Sequence, residues 1–356
     1  MQPVSEKTSL NRREVKIKHF MPDKKASNLE HFQFRDLHPN VFMGTASDRY
    51  KGWIGQIYSG QLYAEHITRR SKKIGAKTFV EEVLPVESVQ EYFRHFRILE
   101  LDFTFYRPLL DKDGKATRNL HVLRAYTQYL NKNDRLILKV PQTVFAKKIW
   151  KKGTYVDNEN YLSPEVFTRQ FYEPALGISA AWLDGLIFEQ EYQRKKDRPS
   201  PKELANELDN FFSSVPKDTR YHVEVRTEAL LAKPFFDVLA KHGVGQILSH
   251  WTWFPRLSRQ FAMSGRTFMN QGKKSIIRLL TPRGMRYEDA YTKAHPFSTM
   301  VDGMMNPQMV DETVDIMRSA IEDNVQINVI INNRSGGNAP IIAQKIAKQF
   351  LEGPTN

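Results

Sequence analysis

The feature that most constrains this fold is a regular alternation along the chain. From residue 38 onward, short apolar runs of strand length are separated by longer amphipathic stretches of helix length. This alternation is typical of βα units that close a parallel sheet. It predicts an α/β protein built as a single (β/α)8 barrel of the TIM type. We expect the eight strands at Val41–Thr45, Ile98–Phe105, Arg135–Val140, Leu186–Gln190, Tyr221–Arg226, Gln246–Trp251, Ser275–Leu280 and Val325–Asn332.

Several helix ends are marked by capping residues. The segment Ser200-Pro201-Lys202-Glu203 combines an N-cap serine, a proline at the first helical position and a glutamate that completes a capping box. Asn306-Pro307 and Ser163-Pro164 open two further helices in the same way. Gly243 and Gly353 stand where C-terminal caps are expected. These signals place helices between the predicted strands.

Composition indicates an ordinary globular protein. Of the 356 residues, 40% are hydrophobic and 26% are charged, and a barrel of this length can form one domain. The chain has no cysteine, which excludes disulfides and thiolate metal sites. We see no apolar run of signal-peptide or membrane-spanning length. We therefore expect a soluble, cytoplasmic protein with no membrane partner.

Positive charge is concentrated near the N-terminus. The formal net charge is +13, and residues 1–80 carry 15 Lys or Arg against 7 Asp or Glu. We expect residues 1–37 to form a partly ordered basic arm and residues 38–353 to form the barrel, with decorated βα loops, chiefly the long Gly44–Pro85 connection. A basic segment attracts anionic substrates or nucleic acid. The other interpretation is a solvated arm that only aids solubility.

Alternation within the strands predicts which side chains point into the barrel. Helices cover the outer face of each strand, so polar residues that alternate with apolar ones point inward. By this rule the second strand turns Glu100, Asp102 and Thr104 inward, and the fifth turns His222, Glu224 and Arg226 inward. For the other strands the inward candidates are Lys139, Arg278, Asn328, Asn332, either Glu189 or Gln190, and His250.

Four of these charged residues are our candidate catalytic group. They stand near the C-terminal ends of their strands, where barrels of this type keep their active sites. We predict that Glu100 and Glu224 form an acid/base pair whose ionisation is set by Lys139 and Arg226. The alternative is an ion-pair lattice that merely fills the barrel. Aliphatic side chains would fill that space at a lower desolvation cost, which favours the catalytic interpretation.

A glycine-rich loop leads from the eighth strand into the last helix, with the sequence Asn332-Asn333-Arg334-Ser335-Gly336-Gly337-Asn338-Ala339-Pro340. Free N–H groups at a helix start favour negative charge. We predict that this loop holds the anionic end of a substrate, although glycine turns before helices are also common without any ligand. The predicted substrate-binding or anion-binding residues are Asp102, Tyr106, His250, Arg278, Asn332, Asn333, Arg334, Gly336, Gly337 and Asn338.

Tryptophans in two loops are candidate stacking residues. Trp53 follows the first strand, and Trp251 and Trp253 follow the sixth. Such rings stack on a sugar or a base, or else form the small core of a lid. The chain has no His-Glu-x-x-His or His-x-His motif, and Lys139 and Arg226 would compete with a metal for the carboxylates. We therefore predict no metal and name no cofactor.

Five motifs occur in a recognisable order along the chain. They are Gly44-Thr45 with Tyr50-Lys51-Gly52-Trp53, Glu100-Leu101-Asp102-Phe103-Thr104-Phe105-Tyr106-Arg107, Lys139-Val140-Pro141, Glu224-Val225-Arg226, and Asn332-Asn333 with Gly337 and Ala339. Over about residues 40–350 the chain thus resembles the YecE-like family, the domain of unknown function 72. The resemblance implies a (β/α)8 barrel with a pocket lined by these strand ends. It implies no particular activity.

The chain departs from the family pattern at three places. Asp102-Phe103 stands where the family usually has Asn-Ser, and Glu189-Gln190-Glu191-Tyr192 stands at the glutamine-proline motif of the fourth strand. Thr227 replaces the usual histidine after Glu-Val-Arg. These departures indicate a substrate that differs from that of other members.

Three functions follow from the sequence as hypotheses. The leading one is an enzyme that acts on a small anionic substrate, such as a phosphorylated sugar or a nucleotide-like molecule, by acid/base chemistry at the strand ends. The second is a nucleic-acid-binding or nucleic-acid-processing protein that uses its basic surface and its tryptophans. The third is a non-catalytic ligand-binding protein. Most barrels of this type are enzymes, which favours the first by analogy.

Overall fold

A computed structural model describes residues 27–151 and 153–353 of the chain. The strands in this part are β1 (Val41–Ala46), β2 (Thr68–Ile74), β3 (Lys77–Val83), β4 (Ile98–Leu101), β5 (Arg135–Lys139), β6 (Lys148–Lys151), β7 (Thr154–Asp157), β8 (Leu183–Glu189), β9 (Tyr221–Glu224), β10 (Gly245–His250), β11 (Lys274–Leu279) and β12 (Gln326–Ile331). Eight of them form a closed parallel barrel in the order β1-β12-β11-β10-β9-β8-β5-β4. The predicted (β/α)8 barrel is confirmed.

Helices surround the barrel. The α-helices after the helical turn at residues 27–30 are α1 (Gly60–Tyr63), α2 (Val89–His95), α3 (Arg118–Thr127), α4 (Gln142–Phe145), α5 (Pro164–Phe167), α6 (Glu173–Ser179), α7 (Pro201–Ser214), α8 (Lys233–His242), α9 (Leu257–Met263), α10 (Tyr287–Ala294), α11 (Pro307–Glu322) and α12 (Ala339–Glu352). Within residues 27–151 and 153–353, none of the helices combines the length and the apolar character needed to cross a membrane.

The predicted caps are present. Ser200 accepts the N–H of Glu203 at 3.2 Å, and the Glu203 carboxylate accepts the N–H of Ser200 at 2.6 Å, which completes the capping box of α7. Asn306 and Ser163 cap α11 and α5 in the same manner. Gly243 ends α8 with φ +64°, a conformation that favours glycine.

Two antiparallel hairpins decorate the barrel. The hairpin β2–β3 lies inside the Gly44–Pro85 connection, and the hairpin β6–β7 follows β5. Residues 27–37 contribute Leu29, Phe34 and Leu37 to the buried core, and Arg35 pairs with Asp134 at 2.8 Å just before β5. This segment therefore covers the N-terminal end of the barrel. Residues 1–26 of the predicted basic arm lie outside the described residues.

Side chains inside the barrel form three layers along its axis. The middle layer is apolar and contains Phe42, Ala46, Ile98, Ile137, Ile187, Ile247, Ile276 and Ile330. Towards the N-terminal end lies a polar layer in which Asp184 accepts from Lys274 at 2.6 Å and from Asn328 at 3.1 Å, with His222 nearby. Five inner isoleucines are followed two residues later by Glu100, Lys139, Glu189, Ser249 and Arg278, which form the third layer at the C-terminal end.

Two strand boundaries differ from the prediction by more than two residues. β4 ends at Leu101 rather than Phe105, because residues Asp102–Phe105 form a 3-10 turn in which the Thr104 hydroxyl donates to the Lys139 carbonyl at 2.7 Å. Polar and apolar residues happen to alternate through this turn as well, so the sequence predicted a longer strand. β8 begins at Leu183, three residues before the predicted start, because Asp184 and Gly185 interrupt the apolar pattern from inside the barrel.

Gly44 is required by the close approach of β1 and β4. A Cβ added at Gly44 would lie 2.0 Å from the Ile98 carbonyl oxygen, and the two residues are paired in the sheet. We expect Gly44→Ala to lower the free energy of unfolding by roughly 3 kcal/mol or more. Gly177→Ala is the control, since a Cβ there meets nothing within 4 Å and alanine favours its helix. Chemical denaturation of both variants measures the difference, and equal stability would contradict the close approach.

Candidate active site

Six charged side chains meet inside the C-terminal end of the barrel. Three are carboxylates and three are cations, so their formal charges balance. Five of them are buried, and the six come from five strands, because Glu224 ends β9 and Arg226 follows it by two residues. We call this group the floor network: Glu100, Lys139, Glu189, Glu224, Arg226 and Arg278.

Arg278 stands at the centre of the floor network. Its Nε and Nη2 donate to the two Glu100 oxygens at 2.8 and 2.6 Å, a bidentate geometry. Its Nη1 donates to Glu189 at 2.9 Å and also to Glu224. Four of its five guanidinium N–H groups thus donate to protein carboxylates. This geometry does not favour the predicted role of Arg278 in holding a substrate anion, which stays a prediction.

Glu189 links the two cations that lie nearest the barrel mouth. Its Oε2 accepts from Lys139 at 2.6 Å and from Arg226 at 2.9 Å, besides Arg278. Burial alone would raise the pKa of Glu189, but these three cations together hold it below its usual value. Glu189 was one of two candidates for the inward residue of its strand, and the structure selects it over Gln190.

The two predicted acid/base residues are both enclosed. Burial raises the pKa of the Glu100 carboxyl, while Arg278 and Lys139 oppose that rise. Glu224 has no exposed surface, and it accepts from the Ser249 hydroxyl at 2.7 Å and from Arg226 Nε at 3.3 Å in addition to Arg278. The structure thus brings the four predicted catalytic residues together. It does not leave Glu224 open to solvent, as a residue of an open pocket would be.

The inward residue of β10 is Ser249, and the prediction of His250 is wrong. Ile247 belongs to the inner layer, so the period of two turns Ser249 inward and His250 towards the helices. Burial and the nearby Arg283 lower the pKa of His250 to about 4. Ser249 is a weaker polar signal than the His250 that follows it, which is why the sequence pattern favoured His250.

The loop after β12 uses five of its N–H groups in internal hydrogen bonds, contrary to the prediction that they are free to hold an anion. Asn332 and Asn333 accept them through their own oxygens, and the donors are the N–H groups of Arg334, Ser335, Gly336, Gly337 and Ala339. Asn338 caps α12 by accepting the N–H of Ile341 at 3.0 Å. The two asparagines fold the loop on itself, which accounts for its composition.

The three tryptophans have different environments. Trp53 is buried, and its indole N–H donates to Asn333 Oδ1 at 3.1 Å, so the prediction of a stacking role is wrong for it. The Arg226 guanidinium lies 4.2 Å from the centroid of the Trp251 ring and covers that face. Trp253 is 63% exposed. Of the three, Trp253 keeps a face available to a ligand.

Two cavities lie near the C-terminal end of the barrel, and Arg226 of the floor network lines the second of them. The first, of about 680 Å³, lies between the segment after β1, the β2–β3 hairpin and the end of β4, and we call it the hairpin cavity. Asp102, which accepts from the Ser47 hydroxyl at 2.9 Å, and Tyr106 line it. The second, of about 530 Å³, is lined by Arg226, Tyr192 and Trp253, and we call it the aromatic cavity.

The mouth above the network brings further predicted residues together. Tyr106 is 66% exposed, and its hydroxyl lies within electrostatic range of Asp102, Glu189 and Arg334. The Arg334 guanidinium packs 4.4 Å from the centroid of the Tyr287 ring. Asp102, Tyr106 and Arg334 thus face one opening, although their binding role stays a prediction.

Asp48 is a site residue that sequence reasoning missed. It is 2% exposed and lines the hairpin cavity immediately beyond β1. Its position after a barrel strand is the signal that points to it, since the loops there build the active sites of this fold. Asp48 lies beyond the end of β1, so the alternation of inward and outward side chains along a strand could not identify it.

Metal ligation has no support from the arrangement of the carboxylates. In residues 27–151 and 153–353, no group of three or more His, Asp or Glu side chains has the geometry to hold a metal ion. The floor-network carboxylates direct their oxygens at Lys139, Arg226 and Arg278 instead.

The enclosure of Glu224 leads to a prediction for stability. Glu224→Gln removes the charge that faces Arg278 and Arg226, so we expect it to lower the free energy of unfolding by about 3 to 5 kcal/mol. Glu82→Gln is the control, because Glu82 also pairs with two cations, Lys51 and Arg69, but at the surface. There we expect a loss below about 1 kcal/mol. Urea denaturation compares them, and an unchanged Glu224→Gln midpoint would show that solvent reaches Glu224.

Comparison with known proteins identifies the fold family. A DUF72 family protein from Thermotoga maritima has 17% identity and a TM-score of 0.51, and the match covers 88% of this chain and 99% of that one. A DUF72 family protein from Enterococcus faecalis has 12% identity and a TM-score of 0.53, with 89% and 97% covered. At these identities the likeness shows the fold alone. No protein with a curated function matches the chain.

The family described as protein of unknown function DUF72 matches residues 42–355, nearly the whole barrel. The strand motifs pointed to this same family. The chain therefore belongs to the DUF72 family.

Proposed function

We propose that this DUF72 protein is an enzyme that acts on a small anionic substrate, such as a phosphorylated sugar or a nucleotide-like molecule, by acid/base chemistry at the C-terminal ends of the strands. The observation that carries the proposal is the floor network beneath a mouth lined by polar side chains.

The cost of the floor network supports a functional role. Burying six charges requires desolvation that their mutual attraction offsets only in part. The layer directly beneath is built of isoleucines, so aliphatic side chains fit inside this barrel. A structural filling would continue that apolar layer. Charges held in a dry site interact strongly with a substrate and need no rearrangement during reaction, which is how enzymes stabilise developing charge.

The network divides into a buried part and a part nearer the mouth. Lys139 and Arg226 have side chains 8% and 15% exposed, and Arg226 lines the aromatic cavity. We assign these two cations to contact and polarise the substrate. Glu189 and Glu224 hold them in place from behind. Glu100, whose carboxyl pKa is raised by burial, is the network carboxyl best suited to carry a proton.

Arg334 is the best-supported anchor for the anionic group. Its Nε is buried and has no hydrogen-bond partner, and its guanidinium makes no ion pair within 4.0 Å among the described residues. A guanidinium without a carboxylate partner binds phosphate or carboxylate with charge-assisted hydrogen bonds. The anion expected at the backbone N–H groups of this loop is therefore assigned to the Arg334 side chain instead.

The nucleic-acid hypothesis has less support from the tryptophans. Trp53 is buried, and Arg226 covers one face of Trp251. Trp253 and Tyr192, both exposed, line the aromatic cavity beside Arg226. Their arrangement suits one ring of a small ligand more than a track of successive bases.

A ligand screen tests the proposal. We expect saturable binding of one class of sugar phosphate or nucleoside monophosphate, measured by calorimetry, and no binding of the matched compound without phosphate. Arg334→Gln should weaken that binding at least about tenfold, since charged hydrogen bonds contribute roughly 1.5 to 3 kcal/mol. Arg94→Gln is the control, because Arg94 is an exposed arginine of α2.

Phosphorus NMR of the bound ligand then separates an enzyme from a non-catalytic binding protein. Chemical conversion of the ligand that depends on Lys139 and Arg226 supports an enzyme. Binding without conversion would favour the non-catalytic alternative. Equal affinity of Arg334→Gln and wild type would remove Arg334 from the site.

A further inference from the structure

The hairpin cavity contains one guanidinium without a partner. Arg49 lines this cavity, is half-buried, and makes no ion pair within 4.0 Å with any residue in the described part of the chain. The other Lys and Arg side chains of the cavity all have carboxylate partners at 2.7 to 2.8 Å, namely Lys51 with Glu82, and Arg70 and Lys72 with Glu81. The positive charge of Arg49 beside the cavity is therefore not neutralised by an ion pair.

Asp48, the residue before Arg49, has one carboxyl oxygen without a hydrogen-bond partner. Asp48 lines the same cavity and is 2% exposed. Its Oδ1 accepts from the Tyr126 hydroxyl at 2.7 Å, whereas its buried Oδ2 has no hydrogen-bond partner. The Tyr58 hydroxyl donates to the Asp48 carbonyl at 2.9 Å and fixes the backbone. An orphaned buried oxygen is rare in folded proteins and indicates a proton or a missing ligand.

The surroundings of Asp48 favour its neutral form. Burial raises the pKa of Asp48 to about 6, against the opposing effects of Arg49 and of the Tyr126 hydroxyl. The ionisable groups that face it from other elements are Tyr58, Tyr92, Tyr126 and Asp102. Burial raises the pKa of all three tyrosines, so they remain neutral when Asp48 ionises.

We propose that the hairpin cavity contains an oxyanion site, in which Arg49 holds the anion and protonation of Asp48 controls occupancy. The ligand class is a tetrahedral or planar oxyanion, such as a sulfate, phosphate monoester or carboxylate group. Asp102 and Tyr106 line this cavity as well as the mouth. This inference extends the proposed function. It rests on the proposed function only for the identity of the natural ligand.

The sign of the pH effect follows from the raised pKa of Asp48. Below about pH 6 the Asp48 carboxyl is neutral and no longer offsets the charge of Arg49. Above that pH the carboxylate forms beside the anion site and repels the ligand. An anion that binds above about pH 6 therefore draws one proton from solvent to Asp48, and releases it when the anion leaves.

Sulfate is the probe, because it stays a dianion between about pH 5 and pH 8 and its own titration cannot mimic the effect. We expect saturable binding to the full chain carrying Arg334→Gln, which removes the other proposed anion anchor, in equilibrium dialysis at constant ionic strength, weakening on the order of tenfold across that range. On that background Asp48→Asn should bind equally well at both ends of the pH range, and Arg49→Gln should lose binding throughout. Asp36→Asn, which changes an exposed aspartate before β1, should leave the binding of that background unchanged.

Proton uptake gives a second measurement on the unaltered protein. Calorimetry of sulfate binding near pH 7 in buffers of different ionisation enthalpy should show uptake approaching one proton per sulfate. Absence of sulfate binding, binding that survives Arg49→Gln, or zero proton uptake would each overturn the inference. The Arg334 ligand screen is independent. If the ligand screen fails while sulfate binds as expected, only the enzyme proposal is rejected. If the ligand screen succeeds while sulfate does not bind as expected, only the oxyanion site is rejected.

Discussion

The structure of the barrel interior depends on one arginine that satisfies three carboxylates. Arg278 on β11 reaches Glu224, Glu189 and Glu100, which lie on strands two or three positions away around the barrel. Without this cation, three buried carboxylates would repel one another in a region of low dielectric constant, and closure of the barrel would be unfavourable. Lys139 and Arg226 then complete a balanced set. The closed barrel and its network are thus mutually dependent, since only closure brings these strands to one point.

The sequence was sufficient to predict the barrel and most of the residues inside it. Apolar runs and their alternation identified eight strands, and a period of two turned Glu100, Lys139, Glu224 and Arg278 inward. However, the alternation of polar and apolar residues shows only which face of its strand a side chain occupies. It does not show how far that side chain reaches across the barrel. It could not reveal that Arg278 binds three carboxylates at once.

Loops account for the remaining differences. Asn332 and Asn333 consume the N–H groups that a glycine-rich loop would otherwise offer, and nothing in a linear pattern distinguishes a self-capping loop from an anion cradle. Trp53 packs inward because the loop after β1 folds back onto the loop after β12. Asp48 lies in such a loop too, and its burial follows from Tyr58 and Tyr126 packed around it. These are long-range contacts that no local pattern encodes.

The isoleucine layer in the middle of the barrel separates two polar regions that would otherwise share one interior. Asp184 and Lys274 lie on one side of it and the six-charge network on the other. Because its side chains are buried and apolar, this layer is a barrier to water across the barrel axis. Water and protons reach Glu100 and its partners from one direction only. Exchange at the network is therefore one-sided, and whatever occupies the opening determines when those carboxyls can equilibrate with solvent.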